Sequence, residues 1–376
     1  MVVYPGDWVK STIGECADIY QGGTPSTTNS EYWGGDIVWL TPGEITKLKT
    51  LYVNNSERKI TQEGLNDSSA TLLPTGTILL CTRATIGELA IAAKPVTTNQ
   101  GFKNLVCKDW IDNKFLAYLL TTYKDEMISR AIGTTFLELS KKELSRLTVH
   151  LPPLQEQRAI AEALTAFDDY IADLDALIEK KKAIRDGALK DLVSGRTRLA
   201  GFDGEWSNAK IGDILKVLHG KNQHLIESLH GHYPIMGTGG IIGWTDKYLC
   251  DWECVLIGRK GTIDRPYYMN VPFWTIDTLY YSEPMPGQCV KYQYYLFSTI
   301  PWYDFTESSG RPSLTRKAIE GIEIVLPPSE EQKAIADILS SMDNEIKSLE
   351  VERDKMIQVR EGAMDDLLTG RVRLSV

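Results

Sequence analysis

The chain has no apolar run approaching the about 18 residues that a membrane-crossing helix needs. Its opening, MVVYPGDW, carries neither a basic nor an apolar stretch, so it does not read as a secretory signal. A cytoplasmic location is the expectation. No CxxC occurs. The cysteines, Cys16, Cys81, Cys107, Cys250, Cys254 and Cys289, are scattered, which fits reduced, mostly buried thiols. Cys250 and Cys254 stand near His230 and His232, yet the spacing matches no common zinc module, and no metal is expected. There is no G-x4-GK-S/T phosphate loop, so no ATP hydrolysis is expected of this chain. Gly237-Thr238-Gly239-Gly240 lacks a strand-to-helix context and reads as a turn. No nucleophile–base spacing stands out, even in HLIESLHGH (224–232), so catalysis is not expected. Positive charge is not in excess either. The formal net charge of −9 argues against a surface that grips nucleic acid everywhere, while leaving room for a local basic patch.

What is present is a folded composition, 43% hydrophobic and 24% charged, on 376 residues, too many for one ordinary core. The strongest signal is internal duplication. Residues 151–199 read LPPLQEQRAIAEALTAFDDYIADLDALIEKKKAIRDGALKDLVSGRTRL. Residues 326–374 read LPPSEEQKAIADILSSMDNEIKSLEVERDKMIQVREGAMDDLLTGRVRL. The two align without a gap at an offset of 175, with about 22 of 49 positions identical.

Each copy predicts a long helix. Pro152-Pro153 and Pro327-Pro328 stop what precedes and pre-set a helix start, and Gly195 and Gly370 end it. In the first copy Ile160, Leu164, Phe167, Ile171, Leu174 and Ile178 recur in steps of four and three. In the second, Ile335, Leu339, Met342, Ile346, Leu349 and Met356 do the same. That is a coiled-coil seam. A helix of about 37 residues would run about 55 Å. Lys181 and Arg353 interrupt the seam, and Arg185 and Arg360 share one register position. They read either as register-fixing polar groups or as long stems that reach out to water. An antiparallel pair is the economical arrangement, because the intervening segment can fold as a domain whose ends lie close together.

The segments preceding the helices also look like diverged copies. Trp8…Ile13-Gly14-Glu15 matches Trp206…Ile211-Gly212-Asp213. Arg83-Ala84-Thr85-Ile86 resembles Lys260-Gly261-Thr262-Ile263, and Leu139-Ser140-Lys141-Lys142 matches Leu314-Thr315-Arg316-Lys317. Strands are predicted at 77–80 and 254–257, and helices near 113–124 and 291–298. The sheet order does not follow from the sequence. The organisation is 1–150 globular, 151–199 helical, 200–325 globular and 326–376 helical, an α+β fold with two pseudo-repeated domains and an antiparallel coiled coil. Matched spacers with unlike heads imply one scaffold performing two versions of one task.

The pairing of LPPLQEQRAIAEAL with VSGRTRL, and of LPPSEEQKAIADIL with LTGRVRL, resembles the conserved regions of type I restriction-modification specificity subunits. The W-x4-IG-E/D openings are similar to the start of that family's target recognition domains. The resemblance covers the whole chain. It implies that each globular segment reads one half of a bipartite, asymmetric site in double-stranded DNA. It implies that the helices measure the gap and dock two adenine methyltransferase subunits, and that restriction subunits can join. S-adenosylmethionine, ATP and magnesium would then belong to those partners, leaving this chain non-catalytic. It has no D/N/S-P-P-Y/F/W tetrapeptide, the signature of amino-methyltransferases.

A DNA reader needs phosphate contacts to position it and base-edge contacts to specify. In the first domain the candidates are Arg83 and Thr85 in CTRATIG, with Asn99, Gln100 and Lys103 in TTNQGFK. In the second they are Arg259, Lys260 and Thr262 in IGRKGTI, with Arg311, Arg316 and Lys317 in SSGRPSLTRK. Taken singly, each also fits a solvated loop charge. The recurrence of the loop in both copies favours function. Tyr267, Tyr268, Trp274, Tyr280 and Tyr281 read as core residues rather than base-stacking groups. A duplicated protein-interaction scaffold is the alternative that the acidic balance leaves open.

Overall fold

A computed structural model of the chain describes residues 4–133, 137–306 and 312–374, so Arg311 lies outside the described residues. The chain divides into two compact units, Met1–Ala176 with Glu350–Val376, and Leu177–Leu349.

The globular part of the first unit carries β1 (Val9–Thr12), β2 (Ala17–Gln21), β3 (Trp33–Leu40), β4 (Tyr52–Val53), β5 (Arg58–Ile60), β6 (Ile78–Cys81), β7 (Leu89–Ala92), β8 (Thr97–Thr98), β9 (Phe102–Cys107) and β10 (Thr148–Leu151). Among the described residues one sheet runs in the order β2-β9-β6-β7-β4 and a smaller one in the order β5-β3-β8. The central strand β6 is buried along its whole length. Alternation splits its side chains between two cores. Ile78 and Leu80 pack with the Asn113–Thr121 helix, while Leu79 and Cys81 pack with Val38 and Leu40. Asp112 caps that helix, its carboxylate accepting from the Phe115 amide at 2.9 Å.

The second unit repeats this plan with β11 (Ser207–Lys210), β12 (Leu215–His219), β13 (Tyr233–Gly237), β14 (Gly240–Thr245), β15 (Cys254–Gly258), β16 (Tyr267–Met269), β17 (Trp274–Thr275), β18 (Leu279–Pro284) and β19 (Glu323–Leu326). The order β12-β18-β15-β16 matches β2-β9-β6-β7, with no counterpart of β4 among the described residues. In each small sheet one pairing is parallel, β3 with β8 and β13 with β17. Val255 and Ile257 face the Val290–Phe297 helix, and Cys254 and Leu256 face the second core.

In each unit the strand that enters the domain pairs antiparallel with the strand that leaves it. Val9 lies opposite Leu151, and Ser207 opposite Leu326. The two ends of each domain are thereby clamped together, and the chain passes through Pro-Pro into a long helix. Those helices are Leu154–Val193 and Ser329–Thr369, each about 60 Å at about 1.5 Å per residue. Gly195 (φ +71°) and Gly370 (φ +73°) end them in the left-handed conformation that glycine tolerates.

Each unit contains a stretch of both helices, packed antiparallel. In the first unit Asp168 pairs with Arg360 and Asp175 with Arg353. In the second, Lys181 pairs with Glu345 and Arg185 with Asp343. In both, one number falls as the other rises. The seam's charged residues therefore engage the opposing helix. Ile160, Leu164, Leu174, Ile178, Ile335, Leu339 and Ile346 are buried; Phe167, Ile171, Met342, Leu349 and Met356 are half-buried. Ile160 and Leu164 belong to the first domain's core, as Ile335 and Leu339 belong to the second's, so the helices grow out of the domains they carry.

Candidate nucleic-acid interface

The turn after each central strand is held against the segment leading into a short helix. In the first unit the Leu139 amide donates to Thr82 O at 3.0 Å, and Arg83 forms a bridge with Glu138. In the second the Leu314 amide donates to Arg259 O at 2.9 Å, and Lys260 forms a bridge with Ser313. The helices that follow, Lys141–Ser145 and Arg316–Glu320, are capped by Ser140 and Thr315, which accept from Glu143 N and Ala318 N at 3.2 Å. The reversal uses a left-handed residue in both turns, Ala84 (φ +60°) and Gly261 (φ +89°). At alanine this costs on the order of 1 kcal/mol, which the backbone docking must hold in place.

Arg83 and the 98–102 turn come together, because the Thr82 amide donates to Gly101 O at 2.8 Å. Arg259, Lys260 and Thr262 come together with Arg316 and Lys317 through the Leu314 link. Lys260, Arg316 and Lys317 are exposed; Arg316 lies 2.8 Å from Glu320. Arg259 donates to Asp277 O at 3.0 Å. Asn99 closes its own turn by accepting from the Gly101 amide at 2.8 Å, and exposed Gln100 accepts from the Thr24 hydroxyl. Thr85 holds a buried hydroxyl and Thr262 is half-buried.

Lys103 is placed differently from the loop position expected for it. It lies on β9, its side chain is 2% exposed, and its ammonium sits 3.1 Å from Glu138. β9 is buried on both faces from Phe102 to Leu105, and this outweighs the polar look of TTNQGFK. Glu138 is also 2.6 Å from Arg83. Arg83 first, and Lys103 after it, hold the Glu138 carboxyl below the usual carboxylate range. Glu138 has no signature of its own in the sequence. Lys141 and Lys142, both exposed, could have been found by alignment with Arg316 and Lys317.

A depressed carboxyl stabilises the fold fully above its unfolded value, about 4.3, and that contribution is lost as pH falls through the folded value. Glu138→Gln is expected to lower stability at pH 7 by about 1–3 kcal/mol, because Lys103 stays buried beside a neutral amide. Urea denaturation at pH 7 and 3.5 checks this. The difference between the two proteins should shrink at the lower pH; a difference that stays as large or grows there contradicts the assignment.

Of the five aromatic residues singled out in the second domain, Tyr267, Tyr268 and Trp274 are half-buried. Tyr280 and Tyr281 are buried, Tyr280 donates to Leu314 O at 3.2 Å, and Trp274 Nε1 donates to Lys221 O at 2.9 Å. Gly237 and Gly240 form the β13–β14 hairpin turn. Cys250 and Cys254 are buried with sulfurs 3.9 Å apart, whereas exposed His232 pairs with Asp246. Among the described residues no group of three His, Cys, Asp or Glu side chains is arranged to hold a metal, and no helix is long and apolar enough to cross a membrane.

Two copies of one domain each offer basic side chains from one turn and one capped helix. The family model described as the type I restriction modification DNA specificity domain matches residues 5–184 and 203–358, and the chain belongs to that family, the specificity subunits of type I restriction-modification systems. The MjaIX specificity subunit of Methanocaldococcus jannaschii is 36% identical over 242 residues, covering 58% of this chain and 54% of that relative. The EcoprrI specificity subunit of Escherichia coli is 26% identical over 371 residues, covering 93% of this chain and 90% of that one. The crystal structure of the S subunit from Mycoplasma genitalium superposes with a TM-score of 0.65 at 20% identity, covering 96% of both chains. That of the HsdS subunit from Thermoanaerobacter tengcongensis gives 0.54 at 15%, covering 98% of both. These structural likenesses concern the fold.

Proposed function

We propose that the globular domains, residues 1–150 and 200–325, each read one half of an asymmetric, bipartite site in duplex DNA. The helical segments 151–199 and 326–376 set the gap and dock two adenine methyltransferase subunits, which restriction subunits can join. The chain positions the duplex while a partner extracts and methylates the base, so S-adenosylmethionine, ATP and magnesium are the partners' cofactors. Its work is done in the cytoplasm, and it performs no chemistry itself.

One observation carries this reading: the same turn and capped helix recur in both domains with different side chains. Arg83 stands opposite Glu138, with Lys141 and Lys142 on the helix. Lys260 stands opposite Ser313, with Arg316 and Lys317 on the helix. A shared frame gives both domains phosphate contacts, and the changed side chains give each its own sequence. Lys103, being buried, and Thr85, whose hydroxyl is buried, are not among the contacts; Arg83, Asn99, Gln100, Arg259, Lys260, Thr262, Arg316 and Lys317 are.

Mapping adenine methylation in cells that carry this chain with its methyltransferase tests the reading. The expected pattern is one asymmetric motif in two parts with a fixed gap. A continuous motif, or no motif, would overturn it. Lys260→Ala should weaken binding on all duplexes and flatten its salt dependence if Lys260 contacts phosphate.

A further inference from the structure

A polar triad links each domain to both long helices, and it occurs twice. In the first unit the Tyr118 hydroxyl, on the Asn113–Thr121 helix, donates to Asp168 Oδ2 at 2.6 Å. Asp168 Oδ1 lies 2.5 Å from Arg360 Nε on the second long helix. In the second unit the Tyr295 hydroxyl, on the Val290–Phe297 helix, donates to Asp343 Oδ2 at 2.7 Å. Asp343 Oδ1 lies 3.2 Å from Arg185 Nε on the first long helix. A hydroxyl one turn earlier completes each set, Thr165 at 3.5 Å and Ser340 at 3.3 Å from the phenol.

The polar atoms are not needed for burial. Tyr118 and Tyr295 are 2% and 1% exposed, and phenylalanine would fill the same space. Part-buried ion pairs are a weak source of stability, and their best-attested use is fixing one arrangement against neighbouring ones. Away from their ends, the other bonds between the helices are not duplicated: the Tyr170–Glu352 hydrogen bond and the Arg353–Asp175 ion pair occur in the first unit, the Lys181–Glu345 ion pair in the second. Besides the arginine–carboxylate pairs at the helix ends, such as Arg198–Glu331 and Arg373–Glu156, what the chain repeats is the bond from domain to rod. Apolar contact resists separation but allows rolling and sliding. A directional hydrogen bond from the domain and an ion pair from one helix, meeting at a carboxylate on the other helix, restrict that motion.

We propose that Tyr118, Asp168 and Arg360, and likewise Tyr295, Asp343 and Arg185, are positioning residues that lock each reading domain's angle to its helix pair and so determine how strictly one gap length is enforced. This rests on the bipartite reading above. One base pair moves a half-site by about 3.4 Å along the duplex, so a domain that rolls on its helices would accept neighbouring gaps.

The test uses the full chain assembled with its methyltransferase and sites whose gap is native, one base pair shorter or one longer. The ratio of methylation rates, native over altered gap, is the readout. Tyr118→Phe with Tyr295→Phe is expected to reduce that ratio about tenfold, with base preference within each half-site unchanged. Asp168→Asn with Asp343→Asn should do so at least as strongly. Tyr170→Phe, which removes a comparable bond between the helices, should leave the ratio at the wild-type value. The Phe pair keeps the buried rings, so it decides the matter if the Asn pair fails to fold. An unchanged ratio in the Phe pair, at whatever melting temperature, overturns the proposal, as does equal relaxation by Tyr170→Phe. A wild-type complex indifferent to gap length would instead overturn the bipartite reading beneath it.

Discussion

Arg198→Ala should lower the thermal midpoint of the full chain by roughly ten degrees. Glu331 is 0% exposed in its side chain, and its oxygens accept from Arg198 Nε and Nη2, both at 2.7 Å. Trp206 Nε1 donates to the same carboxylate at 3.1 Å. Removing the guanidinium leaves a buried carboxylate with one neutral donor, and breaking a pair from the side that leaves a buried charge is strongly destabilising. Replacing both partners with methionine should recover most of that loss, because no charge then stays buried. Scanning calorimetry separates the cases. A fall of under about two degrees in the single variant would mean that the clamp does not hold the second unit together.

The second large effect concerns length. Seven residues added to each long helix, between 176 and 177 and between 349 and 350, keep the seam in phase. Each helix grows by about 10.5 Å, close to three base pairs, and three base pairs also turn the duplex by about 100°. On the proposed reading both half-sites can no longer be engaged at the native gap. Methylation there should fall by more than about hundredfold, the scale of loss that misplacement of reacting groups produces. The melting temperature should stay within a few degrees of wild type. Retention of native-gap methylation within threefold would show that the helices do not measure the site.

Much of this architecture was legible because its signals are local. The Pro-Pro starts, the glycine ends and the four-three spacing from Ile160 to Ile178 each act within a few residues. The sheet order was not legible. β1 pairs with β10 across the whole first domain, and short strands such as β4 and β8 carry too little pattern to choose partners. The motifs themselves were read only in part. LPPxxEQ and GRxRL mark a helix start and a helix end, yet their charged residues clasp one another between copies. Arg198 holds Glu331, and Arg373 holds Glu156 at 2.6 and 2.7 Å. Nothing in either motif alone says which glutamate an arginine will find. At the candidate interface, Arg83, Lys260, Arg316 and Lys317 stand on the matched turns and helices, whereas Lys103, expected on a loop, lies on a buried strand. A lysine on a strand is turned inward when Phe102 and Leu105 beside it set the register and a carboxylate waits inside.

The two arginine clasps also bear on the order in which the protein can be finished during synthesis. Residues 177–349 are one continuous stretch, complete before the following segment leaves the ribosome. The first unit is built from two stretches, residues 1–176 and 350–376, and Arg373 in the second reaches back to Asp7 across 366 positions. The second unit is therefore expected to complete ahead of the first, the reverse of the usual N-terminal-first order. Glu156 finds its arginine only when residue 373 has been made, so removal of Arg373 would be felt at Asp7 and Glu156.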